Sequence, residues 1–254
     1  MSDRPFWERA IVTRDVRQIG PVTLCHGDAL DVLQDLRGAA DLCVSDFPYR
    51  LIAGGRGTSG DGSMSGIFDA DAYDNSGDLM AMAEWHQMAP PVYRALKPNA
   101  DAYFMTNDKN LLLAGGALVG AGFKFHNLLG WDKGAPTPNR WYMKHVEYVL
   151  YMWKGKARAI TNPGSKQLFA SPRPKDRVHP TQKPICLMEH YIQNSSRPGD
   201  VVIDPFCGSG ATLVAAALAG RRAIGIEIDP DHFATACAQV ELALKCLDQT
   251  GRGA

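Results

Sequence analysis

Two stretches far apart in the chain carry residues whose types and spacing could do chemistry. Residues 201 to 231 run from a β-rich apolar segment, Val201-Val202-Ile203, into Asp204-Pro205 and a Gly-x-Gly turn at Gly208 and Gly210. An Ala/Leu-rich helical pattern follows, and a second β-rich run closes on Glu227. Glycines let a ligand approach the backbone closely, and a helix opening behind them turns free N–H groups toward it. An acid ending the next strand can accept hydrogen bonds from both hydroxyls of a ribose. The dinucleotide fingerprint G-x-G-x-x-G is incomplete because Leu213 stands at its third glycine, and no GK[ST] triphosphate loop is present. These residues favour a nucleoside without a pyrophosphate; the plain alternative is a βαβ unit whose glycines merely turn the chain.

The second stretch is Asp46-Phe47-Pro48-Tyr49, which follows the apolar run Asp41-Leu42-Cys43-Val44-Ser45. Alone, such residues after a strand usually make a turn. They gain weight from their order along the chain with Asp204-Pro205-Phe206-Cys207-Gly208-Ser209-Gly210 and with His179-Pro180-Thr181-Gln182-Lys183-Pro184. In that order the chain resembles the β-type amino-group DNA methyltransferases, in which a catalytic D-P-P-Y precedes a cofactor loop D-P-F-x-G-S-G. The resemblance runs from about Leu24 to Val240 and takes in Leu96-Lys97-Pro98, Gly130-Trp131-Asp132-Lys133 and His145-Val146-Glu147-Tyr148. Phe47 replaces the family's first proline, a change expected to alter the target pocket, and Ala211 stands where the family often has Thr.

The resemblance implies methyl transfer from S-adenosylmethionine to the N6 amine of adenine or the N4 amine of cytosine, leaving S-adenosylhomocysteine. An exocyclic amine is a poor nucleophile because its lone pair is conjugated into the ring. If Asp46 and a backbone carbonyl of Phe47 or Pro48 accept its two N–H bonds, the nitrogen can pyramidalise and align for in-line displacement. An ordinary Asp pKa of ~3.9 makes Asp46 an orienting acceptor rather than a base. Tyr49 would stack on the base, which must flip out of double-stranded DNA to be reached. By the same resemblance Asp204, Phe206, Gly208, Gly210 and Glu227 hold the donor, with Glu227 on its ribose. Asp28 then meets the adenine end, and Thr181 and Lys183 lie near the methionine end. A helix cap is the other reading of Asp28, and a solvated lysine that of Lys183. Asp at the head of the tetrapeptide resembles the adenine subgroup, whereas Ser45 just before it is the residue that heads the cytosine subgroup. An N4-cytosine enzyme, an RNA enzyme and an inactive nucleic-acid-binding relative are the competing readings.

These residues need elements to position them. Strands are expected over 22–25, 41–45, 101–106, 123–131, 146–153 and 201–203, with another ending at Glu227. Helical patterns cover 28–36, 79–96, 110–119 and 185–195, with Pro90-Pro91 kinking or splitting the second. The last helix has Asp229 as N-cap and Pro230 at its first position. Residues 50–77, rich in Gly, Ser and Asp, read as a loop or lid, and 134–141 as a loop mixing cationic and aromatic groups. Alternating strands and helices make this an α/β, three-layer, Rossmann-like sandwich in a single domain over 1–254. A seven-stranded, mostly parallel sheet with circularly permuted motif order is expected. It places Asp46 and Asp204 on neighbouring central strands, within roughly 15 Å given a strand spacing of ~4.8 Å.

Composition is consistent with that domain. The 254 residues are 45% hydrophobic with a formal net charge of zero. No run of about 18 apolar residues suggests a membrane span, and the N-terminus lacks the apolar segment of a signal peptide. Six cysteines without a C-x-x-C pair read as reduced thiols in a cytoplasmic protein, with no metal site. Charge is uneven, since residues 131–187 hold eleven basic residues against three acidic ones. Lys133, Arg140, Lys154, Lys156, Arg158, Lys166, Arg173, Lys175 and Arg177 are the candidate phosphate contacts, which position DNA rather than read it. The interval 155–178 is a candidate target-recognition segment, too short for an independent domain. Recognition could also draw on the 50–77 loop, the 134–145 loop or the second subunit of a homodimer, and a restriction endonuclease partner leaves no signature in the chain.

Overall fold

The computed structural model describes residues 15–48, 84–137, 142–172 and 183–250. The expected 50–77 loop lies outside them, as do Tyr49, Arg140, Arg173, Lys175, Arg177 and Thr181. Nine described strands form one sheet: β1 (Asp15–Ile19), β2 (Val22–His26), β3 (Ala40–Asp46), β4 (Leu96–Thr106), β5 (Lys124–Thr137), β6 (Lys144–Trp153), β7 (Leu168–Ala170), β8 (Val201–Asp204) and β9 (Arg222–Glu227). Their spatial order is β1-β2-β9-β8-β3-β4-β6-β5-β7. The centre, β2-β9-β8-β3-β4, is wholly parallel, while β1 and β6 run antiparallel to their neighbours. Continuous apolar runs suit strands buried on both faces, and Leu24, Cys25, Leu42, Cys43, Val44, Val202 and Ile203 are fully buried.

Helices cover both faces. On one, α1 (Ala29–Val32), α2 (Trp85–Ala95) and α3 (Leu111–Gly120) pack through Val32, Met88, Val92, Ala114 and Leu118. On the other, α4 (Ile185–Ser195), α5 (Ala211–Leu218) and α6 (Pro230–Thr250) pack through Leu187, Tyr191, Leu213, Val214, Phe233 and Val240. That is the three-layer arrangement.

Three details differ from the sequence reading. The sheet has nine described strands rather than seven, because β1 and β7 extend its two edges. β1 is mostly polar and β7 is three residues long, and an edge strand needs little apolar alternation. Of the two outcomes expected at Pro90 and Pro91, a kink or a split, the split does not occur, because α2 is one helix through both. Each proline removes an N–H donor at a cost of about 3 kcal/mol, offset here by burying Trp85, Met88, Ala89, Val92 and Ala95. Finally, β5 runs on to Thr137, into the segment expected to be a loop. The last helix starts as expected, with Asp229 accepting from the N–H groups of Asp231 and His232 at 2.9 Å each.

Among the described residues no helix is long and apolar enough to cross a membrane.

Candidate active site

Because the central strands are parallel, their C-terminal ends share one edge. Register fixes the order along it: His26 pairs with Glu227, Gly225 with Asp204, and Ile203 with Cys43. Asp28, Glu227, the glycine loop and Asp46 therefore follow one another across four adjacent strands. The N-terminal end of β6 reaches the same edge beside β4, since Thr106 pairs with Tyr148.

The glycine loop is organised from beneath. Asp204 is 3% exposed, and its Oδ1 accepts from Ser45 Oγ at 2.7 Å and from the Phe206 N–H at 3.1 Å. Thr212 also donates to this carboxyl, so the hydroxyl missing at Ala211 is supplied one residue later. Burial nevertheless pushes Asp204 up to about 6, with nearby Asp46 adding to the rise. The two glycines do different work. Gly208, at φ +51°, has open space where a Cβ would be, leaving its backbone approachable. Gly210, at φ +87°, would place a Cβ 3.1 Å from that of Ala236, so it lets α5 and α6 close together.

The raised Asp204 makes a stability prediction. Its folded pKa lies above the unfolded value, so its stabilising contribution is complete below about 4 and is lost as pH rises through about 6. At 1.36 kcal/mol per unit the loss is about 3 kcal/mol. Asp204→Asn should abolish that part of the profile, so the wild type's stability relative to the variant falls by about this amount between pH 4 and 7. Urea melts across the range test this, and a constant difference would refute it.

Beside the loop, Glu227 Oε2 accepts from the Gly208 N–H and Oε1 from the Asp229 N–H, both at 2.9 Å. Glu227 therefore ties β9 to the loop through its side chain, while its backbone carbonyl accepts from the Gly27 N–H at 2.9 Å. Asp28 caps α1, its Oδ1 accepting from the Leu30 N–H at 2.8 Å, and its side chain is exposed at the same edge.

On the other side of the loop, Asp46 ends β3. Its Oδ2 accepts from Lys183 Nζ, whereas Oδ1 is buried and has no hydrogen-bond partner among the described residues. Lys183 also lies 3.4 Å from Glu147 Oε2, and Glu147 Oε1 is 3.2 Å from Lys133 Nζ. Lys183 and Lys133 are each 8% exposed. Burial raises the Asp46 carboxyl, Lys183 draws it down in part, and Glu147 raises it; the net direction is up. Burial alone would raise Glu147 too, but Lys183 and Lys133 bring it below the usual range.

Phe47 turns away from solvent, 2% exposed and packed on Trp85, Phe104 and Phe206 with ring centroids 4.5, 5.3 and 4.8 Å away. Its side chain thus joins the core and braces Phe206 of the glycine loop, rather than shaping a target pocket. Pro48 follows, half-buried.

The basic candidates divide. Lys156, Arg158 and Lys166 are exposed. Lys133 is buried against Glu147, so it is part of the site rather than a phosphate contact. Lys154 donates to the carbonyls of Tyr93 and Leu96 at 2.7 and 2.6 Å and sits 4.6 Å from the Tyr93 ring centroid. It satisfies carbonyls at the end of α2, a structural task, and burial lowers its pKa.

Sequence reasoning missed the linking role of Ser45 and the inward placement of Lys133 and Glu147. The burial pattern of β3 flags Ser45, a hydroxyl that closes an apolar run. Glu147 and Lys133 stand out only once β5 and β6 are paired, with Trp131 opposite Glu147.

Known proteins share this fold. Residues 40–238 match the family model described as DNA methylase (N6_N4_Mtase). The Type II methyltransferase M2.DpnII of Streptococcus pneumoniae is 31% identical over 256 residues, covering 91% of this chain and 94% of that protein. The crystal structure of an M1.HpyAVI–SAM complex superposes with a TM-score of 0.64 at 24% identity, covering 86% of this chain and 99% of that one. PvuII DNA methyltransferase, described as cytosine-N4-specific, superposes at 0.63 with 17% identity over 92% and 93% of the two chains, a likeness of fold. With the family model spanning most of its length and the paired acidic motifs on one sheet edge, the chain belongs to the N6/N4 DNA methylase family.

Proposed function

We propose that the protein is a site-specific methyltransferase that transfers a methyl group from S-adenosylmethionine to the N6 amine of adenine in double-stranded DNA. One observation carries the reading: Asp46 Oδ1 is a buried carboxylate oxygen with no described donor, at the edge where the glycine loop opens. An unmatched buried acceptor is costly, and an exocyclic amine would satisfy it. The Ser45 hydroxyl is engaged by Asp204, which leaves Asp46 to head the motif and supports adenine over cytosine.

The residues on the donor side suit a nucleoside. The open backbone at Gly208 admits a close approach, Glu227 has lone pairs remaining for ribose hydroxyls, and exposed Asp28 stands beyond it for the adenine end. Asp204 shapes this cradle from below, Phe206 flanks it and Gly210 sets the helix behind it. Thr181 belongs to the methionine end in this reading, whereas Lys183, expected beside it, is engaged by Asp46 and Glu147 at the catalytic carboxylate. Bound there, S-adenosylmethionine supplies an electrophilic methyl group on a cationic sulfur. The chain's own contribution is to orient the amine. Asp46 and the carbonyl of Phe47 or Pro48 accept its N–H bonds, and Tyr49 stacks on the base. A base inside the duplex cannot reach a buried oxygen, so it must flip. The relative's name, a Type II methyltransferase, supports a place in restriction–modification.

Mass analysis of nucleosides after incubating DNA with labelled donor tests the base. N6-methyldeoxyadenosine is expected, whereas N4-methyldeoxycytidine, or label entering RNA alone, would overturn the assignment.

DNA binding makes a separate prediction. Alanine at Lys156, Arg158 or Lys166 should flatten the dependence of log affinity on log salt by about 0.9 for each phosphate no longer neutralised. Lys154→Ala should leave that slope unchanged and lower the melting temperature. Fluorescence anisotropy across a salt series separates the two groups.

A further inference from the structure

Lys183 sits between two carboxylates at the point where the target amine must bind. It touches Asp46 Oδ2 and lies 3.4 Å from Glu147 Oε2, while Lys133 holds the other oxygen of Glu147 at 3.2 Å. We propose that Glu147 is a positioning residue acting through Lys183: by sharing the ammonium it holds Lys183 on the Oδ2 side of Asp46, so that Oδ1 stays open to the amine. The inference rests on the assignment of Asp46 as the amine acceptor.

The physical case is one of charge balance. Ammonium and amine both donate to a carboxylate, so an ammonium free to move over Asp46 would compete with the amine for Oδ1. Withdrawing the cation from Asp46 altogether would leave a buried carboxylate uncompensated, which is strongly unfavourable, so the ammonium must stay without covering Oδ1. A second carboxylate 3.4 Å away fixes the ammonium between the two acids, so that it pairs Asp46 through Oδ2 alone. Lys133 completes the device: it pairs Glu147 while Lys183 is on Asp46. Three charged groups face Asp46, Lys183 ahead of α4, Glu147 on β6 and Asp204 on β8, and Lys133 on β5 joins the cluster through Glu147. Two positive and three negative side chains share the cluster, with Asp204 held by hydroxyl and amide donors.

The test begins with a measurement that needs no turnover. In 13C-carboxyl NMR of the full chain, with the Asp46 signal assigned from Asp46→Asn, the Asp46 midpoint should fall in Glu147→Gln, because Lys183 then serves Asp46 alone, and should fall by less when Lys183 is already Met, where only the direct repulsion from Glu147 is removed. It should rise in Lys183→Met. An unchanged or raised midpoint in Glu147→Gln overturns the proposal. Kinetics give the second reading. Glu147→Gln should slow single-turnover methyl transfer about 10-fold with donor affinity within about twofold, yet cost less than about twofold when Lys183 is already Met. Losses that multiply would show Glu147 acting independently of Lys183 and would equally overturn it. Since Glu147→Gln leaves Lys133 buried beside a neutral group, both readings are repeated in the Glu147→Gln/Lys133→Met double variant, with the same outcomes expected. Wild-type protein that methylates no DNA would refute the functional reading, while the NMR titration still decides whether Lys183 is shared.

Discussion

Asp46→Ala is expected to lower the single-turnover rate of methyl transfer by about 1,000-fold while leaving the donor's dissociation constant within about threefold. The asymmetry follows from position. Asp46 lies across the glycine loop from Glu227 and Asp28, so its loss removes the acceptor for the amine and leaves the nucleoside cradle standing. Folding should survive, because Lys183 retains Glu147 as a partner. Rapid-quench kinetics and calorimetric donor titration measure the two quantities, and equal losses in both would place Asp46 in donor binding. A pH signature accompanies the effect. Activity needs the ionised carboxylate, and burial raises its pKa, so the acid limb should sit above that of an ordinary aspartate.

Glu227→Ala is expected to do the reverse, weakening donor binding by about 10- to 100-fold, the range for losing hydrogen bonds to a charged group. Two contributions combine. Ribose hydroxyls lose their acceptor, and the Gly208 and Asp229 N–H groups lose the side chain that fixes the loop. At saturating donor the transfer rate should change less than about tenfold, since the catalytic side is untouched. Unchanged donor affinity would show that Glu227 serves only as a strut for the loop.

Much of this architecture was legible in the residues. The parallel strands β2, β3, β8 and β9 announce themselves as apolar runs ending on an acid or His, and the caps at Asp28 and Asp229 carry local signals that need no tertiary knowledge. What escaped depends on contacts between distant segments. Lys133 and Lys154 look like any surface cation in sequence, yet one is buried on Glu147 and the other, half-buried, is tied to the end of α2. Phe47 departs from a proline, and only the fold shows that its ring fills the core beside Phe206. The edge strands β1 and β7 were invisible because an edge imposes so little pattern.

Ser45 shows how the two motifs work as one site. A hydroxyl on the catalytic strand donates to the acid that organises the donor loop, linking residues 159 apart in sequence. The catalytic and donor halves are held in register by that bond as well as by strand pairing.

If this sheet edge methylates adenine within a fixed DNA sequence, treating unmodified genomic DNA with the purified protein and mapping modified bases by position should reveal it. N6-methyladenine is expected at one short recurring sequence and nowhere else, with none produced by Asp46→Ala. Methylated cytosines, or no modified base from the wild-type protein, would contradict that function.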